Sequence, residues 1–392
     1  MSYFIGLDLG TGGAKGVLYD GEKIVAGDYS ASNFICNGSA VEFSPAEYWQ
    51  EIYGLICRLA AHAPETVKAI SMCAASGNTL ITDAEGVPRS NIVSWLDGRT
   101  EKCPDENIHE IVGWMWVDGF SLAHLLRMKR EEKELFSGDF RVCMNNDWIN
   151  FMLTGNFMLD HSSATPFYLQ DQRNFCYYKP YLEMLGLEEK HLSKLVPCAT
   201  IIGTLKNELA STNLNSGTLI VAGSFDHPSA ARAVRVTKPD EMLLSCGTSW
   251  VGFRPAEQRI IRGGCLCDPF MVHENGCWGE IISWGKAGLE LDAWLTEHYP
   301  DRESRYQKFN DDAMSGGIAR SKMIEMAQKF KAMAFPDVKF KRIVLAGGPS
   351  ESQAWRKYIA EVWDCDIDVS IYRKYTGAVG AAMLAMKGFE NE

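Results

Sequence analysis

The sequence predicts an α/β chain of two domains, each a mixed β-sheet flanked by helices. Three observations carry this. At 392 residues the chain exceeds the roughly 250–300 residues at which a single hydrophobic core stops growing. The layout strand, glycine turn, strand occurs twice, over residues 4–20 and again over 241–253, as a weak internal duplication. Amphipathic helical runs alternate with short apolar strands through the rest of the chain. The expected division is 1–222 and 223–392.

The stretch Val221-Ala-Gly-Ser-Phe-Asp226-His227 lies near the middle. Residues 218–222 read as a short buried strand that stops at Gly223, which leaves Asp226 in the loop beyond. Strand ends of this kind hold reacting groups, because the sheet fixes the backbone while the loop exposes the side chain. Two glycine turns flank it, Asp8-Leu-Gly-Thr-Gly-Gly-Ala-Lys15 and Ser245-Cys-Gly-Thr-Ser249. One carboxylate between two phosphate-sized turns points to phosphoryl transfer. Taken alone, Asp226 reads more plainly as a surface carboxylate.

Composition narrows the partners. Counting 39 basic against 50 acidic residues gives a net charge of −11, which argues against nucleic acid or an anionic membrane as the main partner. No run approaches the about 18 apolar residues of a membrane span. The opening Met1-Ser-Tyr-Phe-Ile-Gly-Leu-Asp8 lacks the basic start of a signal peptide and puts an acid in its apolar region. The 12 cysteines form no framework. Cys265-Leu-Cys267 lacks the spacing and second pair of a zinc site, so reduced thiols in a cytoplasmic enzyme fit better.

In order, residues 4–8 form a strand, Gly10 to Gly13 a turn, 14–20 a returning strand and 23–27 a third. Gly10, Gly12 and Gly16 come near a dinucleotide fingerprint, but that motif needs a helix after the glycines, and here the run alternates, as a hairpin does. Such a turn can still cradle phosphate through converging amides. Lys15 adds charge there, and Asp8 stands where hydrated Mg²⁺ could be held. A plain hairpin explains the segment equally well. The chain has no Gly-x4-Gly-Lys-Ser/Thr run, which counts against a Walker-type site.

Ser44-Pro45 opens a capped helix over 46–60. Strands follow at 67–73 and 79–83, with a small-residue turn at 74–78 between them. Trp95, Asp97 and Arg99 fall on one face of an extended segment at period two. They suit a polyhydroxylated ligand or, equally, an edge-strand salt bridge. Helices are expected at 121–134, 143–153, 181–187, 228–236, 318–333, 353–363 and 375–385, and one leads through Trp294 from Ala287-Gly288. Residues 340–346 form a strand that runs into Gly347-Gly-Pro-Ser-Glu-Ser352, where glycines at a helix base let an adenine or a diphosphate lie against backbone.

Together these motifs resemble the FGGY family of carbohydrate kinases, within the actin/Hsp70/sugar-kinase superfamily. The resemblance runs, in the family's order, through Asp8 to Lys15, Trp95-Leu-Asp-Gly-Arg99, Phe151-Met-Leu-Thr-Gly155, Leu195-Val-Pro197 with Ile202-Gly203, Val221 to Asp226, Ser245 to Ser249, Ala287-Gly288, Ala346-Gly-Gly348 and Gly377-Ala-Val-Gly-Ala-Ala382. It implies two ribonuclease-H-like (actin-like ATPase) domains with the active site in the interdomain cleft, the sugar held mainly by the first and ATP mainly by the second.

Carried over residue by residue, the resemblance makes Asp226 the catalytic base facing the substrate hydroxyl and Asp8 the Mg²⁺-associated acid. Thr11, Gly12, Gly13 and Lys15 become the first phosphate loop, and Gly247 and Thr248 the second. Gly288, Gly348 and Ser352 fall at the nucleotide, and Asn78, Trp95, Arg99 and Phe120 on the sugar side. The implied activity is transfer of the γ-phosphate of ATP to a hydroxyl of a ketose, a xylulose-like pentulose first, or a related polyol. A homodimer is the implied assembly.

There are departures from the family pattern. Members are usually longer, and a segment expected between Tyr299 and Ile318 is absent. The turn at 74–78 lacks the Gln-Met-His that some members carry, which leaves the particular sugar open. Gly12 and Gly13 replace hydroxyl residues, so only backbone N–H groups remain there. Two other functions stay open: a catalytically weakened sugar-responsive regulator, and an actin- or Hsp70-like ATPase.

Overall fold

Gly10 and Gly13 face each other across the two-residue turn Thr11-Gly12, and the strands Phe4–Gly10 and Gly13–Tyr19 run back from it antiparallel. A strand rather than a helix therefore follows the glycines, as the alternation of residues 14–20 predicts. The computed structural model describes residues 2–75 and 77–392, so Ser76, inside the small-residue turn, lies outside the described residues.

The chain forms two compact units, Met1–Ala233 together with Gly377–Glu392, and Val234–Thr376. This corrects the division expected at residue 222. The strand Leu219–Phe225 runs through that position in parallel pairing with Ala69–Ala74, so a boundary there would cut a strand out of its sheet. The final helix, Thr376–Glu390, packs on the first unit rather than the second. Small residues permit this: a Cβ on Gly6 would lie 1.9 Å from the Ala378 carbonyl oxygen, so only glycine lets strand and helix approach this closely.

In the first unit the six-stranded sheet runs Ile201–Thr204, Leu219–Phe225, Ala69–Ala74, Phe4–Gly10, Gly13–Tyr19, Ile24–Ala31. Phe4–Gly10, Ala69–Ala74 and Leu219–Phe225 are mutually parallel. The second unit's sheet runs Cys265–Asp268, Trp278–Trp284, Trp250–Ala256, Glu241–Cys246, Arg342–Gly347, Asp366–Val369. There the hairpin of Glu241–Cys246 with Trp250–Ala256 is extended by the parallel strands Arg342–Gly347 and Asp366–Val369. Five consecutive strands thus repeat one pattern: three antiparallel, then two more parallel to the first. The duplication read in the sequence is a duplication of topology.

Helix Pro45–Ala60 shows why these sequences pack. Ser44 Oγ accepts the Glu47 amide at 3.4 Å, Pro45 stands at the first turn, and Ile52, Leu55, Ile56 and Leu59 form the buried stripe against Ile5, Leu7 and Ile70. Each such fully buried aliphatic side chain contributes about 1.5–3 kcal/mol. A second cluster in this unit gathers Ile81, Leu122, Leu125, Met128, Phe167 and Leu182. The second unit's core centres on Trp250, Phe330, Leu345 and Trp355.

Several local expectations change. Leu219–Phe225 does not stop at Gly223; it continues with a register shift between Val221 and Ser224, and Asp226 begins the helix Asp226–Ala233 instead of sitting in a loop. Past the short strand Ile92–Val93 the chain turns, with the Asp97 amide bonded to the Ser94 carbonyl, so Trp95, Asp97 and Arg99 do not share an extended face. The helix Arg305–Ser315, unforeseen, occupies the stretch where a family segment is missing.

Candidate active site

The first unit brings Asp8, Lys15 and Asp226 to one end of its sheet. Asp8 pairs in register with Cys73, and Cys73 with Ser224, so Asp8 and Asp226 leave the carboxyl ends of parallel strands side by side. That is where open α/β sheets present ligand-binding groups. Lys15, opposite Asp8 in the hairpin, places Nζ 3.8 Å from Asp8 Oδ2. Burial raises the Asp8 carboxyl to about 6; Lys15 pulls it down, Asp226 pushes it up, and His227 and a hydrogen bond with Cys73 pull it down again. A Cβ at Gly377 would sit 3.0 Å from the Asp8 carboxyl, so the start of the last helix closes over this acid.

Asp226 is held by local geometry. The His227 amide donates to its Oδ1 at 2.7 Å, and His227 Nε2 lies 4.0 Å from the same oxygen. One residue earlier, the Phe225 amide donates to Ser162 Oγ at 3.0 Å. The Asp226 side chain is 27% exposed, open enough to meet a hydroxyl.

On the expected sugar side, the structure links three of the four residues and diverts the fourth. Asn78 Oδ1 accepts the Trp95 amide at 3.0 Å, and Trp95 Nε1 donates to Thr11 Oγ1 at 2.9 Å. The Phe120 ring lies 6.5 Å from that of Trp95, 5.0 Å from Trp114 and 5.6 Å from Tyr168, an aromatic wall. Arg99 instead gives its guanidinium to Asp97 (Nη2 to Oδ2, 2.7 Å) and Glu42 (Nη2 to Oε1, 2.5 Å). Asp97 is buried, which raises its carboxyl, but hydrogen bonds from the Arg99 side chain and the Val41 amide outweigh this and hold it below the usual range. Of the two readings of Asp97 and Arg99, this is the salt bridge.

In the second unit, Gly247, Thr248, Gly288, Gly348 and Ser352 line one cavity of about 720 Å³. The Gly288 amide donates to the Thr248 carbonyl at 2.9 Å, and a Cβ on Gly288 would lie 2.4 Å from the Gly247 carbonyl oxygen. Glycine therefore lets the start of helix Ala287–His298 lie directly on the Gly247-Thr248 turn. Ser352 caps helix Gln353–Trp363, its Oγ accepting the Trp355 amide at 3.1 Å. Beneath the cavity Trp250 and Trp355 meet edge to face at 5.2 Å. The volume and the apolar floor with a few polar groups suit a nucleotide-sized ligand.

Sequence reasoning missed Cys73, Ser162 and the pocket residues Tyr306 and Asn310. Cys73 and Ser162 carry no motif; strand pairing places the first, and the hydrogen bond from the Phe225 amide places the second. The four-residue spacing of Phe309 and Ala313 and the Gly316 that ends the helix were the local signs of the element that carries Tyr306 and Asn310. Among the described residues no group of three or more His, Cys, Asp or Glu gathers to hold a metal, and no helix is long and apolar enough to cross a membrane.

The N-terminal domain of the FGGY family of carbohydrate kinases matches residues 3–232. The chain is 26% identical to the xylulose kinase of Escherichia coli K12 over 74% of this chain and 60% of that protein, so it spans less than two thirds of that relative. It is 25% identical to the autoinducer-2 kinase of Salmonella choleraesuis over 98% of this chain and 86% of the relative. Its fold superposes on Plasmodium falciparum glycerol kinase, solved with ADP, with a TM-score of 0.89 at 18% identity, covering 100% of this chain and 90% of that one. The likeness in structure establishes the actin-like ATPase fold expected from the sequence. With the matched domain covering more than half of its length, the chain belongs to the FGGY family of carbohydrate kinases.

Proposed function

We propose that this chain is an ATP-dependent sugar kinase acting on a ketose, a xylulose-like pentulose first, or on a related polyol, with Asp226 as general base. The observation that carries the reading is the placement of Asp226 beside Asp8, Lys15 and the Thr11 turn at one sheet end. A sugar hydroxyl is scarcely ionised near neutral pH. Asp226 takes its proton as the oxygen attacks the γ-phosphorus of ATP, and the bond to the β-phosphate oxygen breaks to release ADP. Base assistance of this kind is worth roughly 10²–10⁴-fold. Lys15 and the amides of Gly12 and Gly13 are suited to meet charge on the transferred group, and the Gly247-Thr248 turn charge on the nucleotide.

The acid at position 8 fits a hard cation. It is an oxygen ligand whose ionisation is opposed by burial and by a neighbouring carboxylate, a penalty that Mg²⁺ would relieve. Mg²⁺ held there would neutralise phosphate charge. Asn78, Trp95 and Phe120 are assigned to the sugar, with indole and phenyl faces for its C–H surfaces and Asn78 holding Trp95 in place. Arg99 is assigned to the sugar side through its brace on Asp97 and Glu42. Gly288, Gly348 and Ser352 are assigned to the nucleotide. The setting we propose is the cytoplasm, which keeps thiols such as the exposed Cys36, Cys103 and Cys176 reduced.

The test is ADP release across pentuloses, hexuloses, glycerol, erythritol and gluconate. Sugar-stimulated release with one ketose or polyol preferred is expected. Release that ignores every sugar would overturn the reading in favour of an actin- or Hsp70-like ATPase. Thermal stabilisation by a sugar without turnover would overturn it in favour of a regulator.

A further inference from the structure

The helix Arg305–Ser315 buries Phe309 and Ala313 and turns Tyr306 and Asn310, four residues apart, toward the second unit's cavity. Tyr306 is 54% exposed, a large ring kept at the rim of a pocket. Asn310 is fixed from behind. The Ser352 hydroxyl donates to Asn310 Oδ1 at 2.7 Å, while Ser352 Oγ accepts the Trp355 amide at 3.1 Å. This relay runs one way, from the helix amide through the hydroxyl to the amide oxygen. In the structure the Asn310 oxygen is the atom turned toward Ser352. The carboxamide oxygen is spent on Ser352, and the NH₂ group, with no protein acceptor among the described residues, is left as a donor on a cavity-lining residue.

We propose that Asn310 and Tyr306 read the base of the bound nucleotide and select adenine. The claim rests on the kinase reading, in which this cavity takes ATP. The Asn310 amide donates to the acceptor edge of adenine at N1, where guanine carries a hydrogen and would oppose it. The Tyr306 ring covers the face of the base over the Trp250 and Trp355 floor. A site built to donate one hydrogen bond rejects a partner that presents another donor, because both groups are then left unpaired.

The experiment is isothermal titration of the full chain with the non-hydrolysable imidotriphosphates of adenosine and guanosine. Wild type, Asn310→Ala, Asn310→Asp and Tyr306→Ala are compared, with thermal melting as the control for folding. Asn310→Asp keeps the oxygen that Ser352 bonds and exchanges the donor for an acceptor. Wild type is expected to bind the adenosine compound about tenfold or more tightly over the guanosine one. Asn310→Ala should flatten that ratio, Asn310→Asp should reverse it, and Tyr306→Ala should weaken both nucleotides together. An unchanged ratio in a well-folded Asn310→Asp protein that binds adenosine nucleotide overturns the assignment and leaves the kinase reading standing. Failure of wild type to bind either compound overturns the kinase reading and this inference with it.

Discussion

The Trp95 indole donates its Nε1 hydrogen to Thr11 Oγ1 at 2.9 Å, across 84 positions of sequence. A residue assigned to the sugar and one assigned to the first phosphate turn are thus a single hydrogen-bonded unit. Asn78 holds the same tryptophan through its amide, so the indole is fixed at both backbone and ring. Rigid positioning of this kind is what phosphoryl transfer depends on, since the protein contributes geometry and charge more than covalent chemistry.

Removing the proposed base should separate chemistry from binding. Asp226→Asn is expected to lower sugar-dependent ADP release by at least about 10²-fold. Nucleotide affinity should stay within about twofold, because the cavity of Gly247, Gly288 and Ser352 belongs to the other unit. Turnover equal to wild type in this variant would remove Asp226 from the mechanism.

Asp8 ties activity and stability to pH with opposite signs. The proposed cation binding requires the carboxylate, whose folded value without a cation is about 6, so at subsaturating Mg²⁺ activity should fall as pH drops through 6, approaching tenfold per unit below it. Stability runs the other way. A folded value raised from 3.8 to about 6 means the group's stabilising contribution is complete below 3.8 and lost as pH climbs through 6. Asp8→Asn should therefore abolish turnover yet raise stability at pH 8, by up to about 3 kcal/mol. Urea unfolding at pH 5 and pH 8 checks this; an equal effect at both values would contradict it.

Arg99 is expected to behave first as a brace. Arg99→Ala leaves the buried Asp97 carboxylate without its charged partner, a cost of about 2–3 kcal/mol, less than for a fully buried pair because Arg99 is 26% exposed. Asp97 is held below its ordinary range in the folded state, so its share of stability is present above the unfolded value and lost as pH falls through the lowered one. The Arg99→Ala deficit should accordingly shrink at acid pH. Melting curves without sugar measure it, and a deficit that appears only with sugar bound would assign Arg99 to the ligand instead.

Gly288→Ala is expected to raise the KM for ATP by at least about tenfold with little change in the KM for sugar. The added methyl would stand 2.4 Å from the Gly247 carbonyl oxygen, so the turn must shift away from the helix start. Steady-state kinetics varying each substrate in turn would show the split, and equal effects on both would contradict it.

Much of the layout was legible because it is written locally. Gly10 and Gly13 mark a hairpin whichever partner strands it finds, and Ser44-Pro45 starts a helix through groups within one turn. The sequence also carried Gly247, Thr248, Gly288, Gly348 and Ser352, which line one cavity although they span 106 positions, from 247 to 352. The true division of the chain was not legible. Residues 377–390 join the first unit, where Gly6 leaves room for the Ala378 backbone, a relationship no local pattern encodes.

The sequence by itself determined the turns, the strand order within each hairpin and the residue types available for chemistry, because backbone preferences and hydrophobic period act over a few residues. Only the tertiary structure decided that Asp8 lies beside Asp226, that Arg99 belongs to Asp97 and Glu42, and that Asn310 faces a cavity. Those relationships arise from parallel strand pairing and helix packing between distant segments. They are selected by the burial and hydrogen bonding of the whole unit, and a short window of residues contains neither.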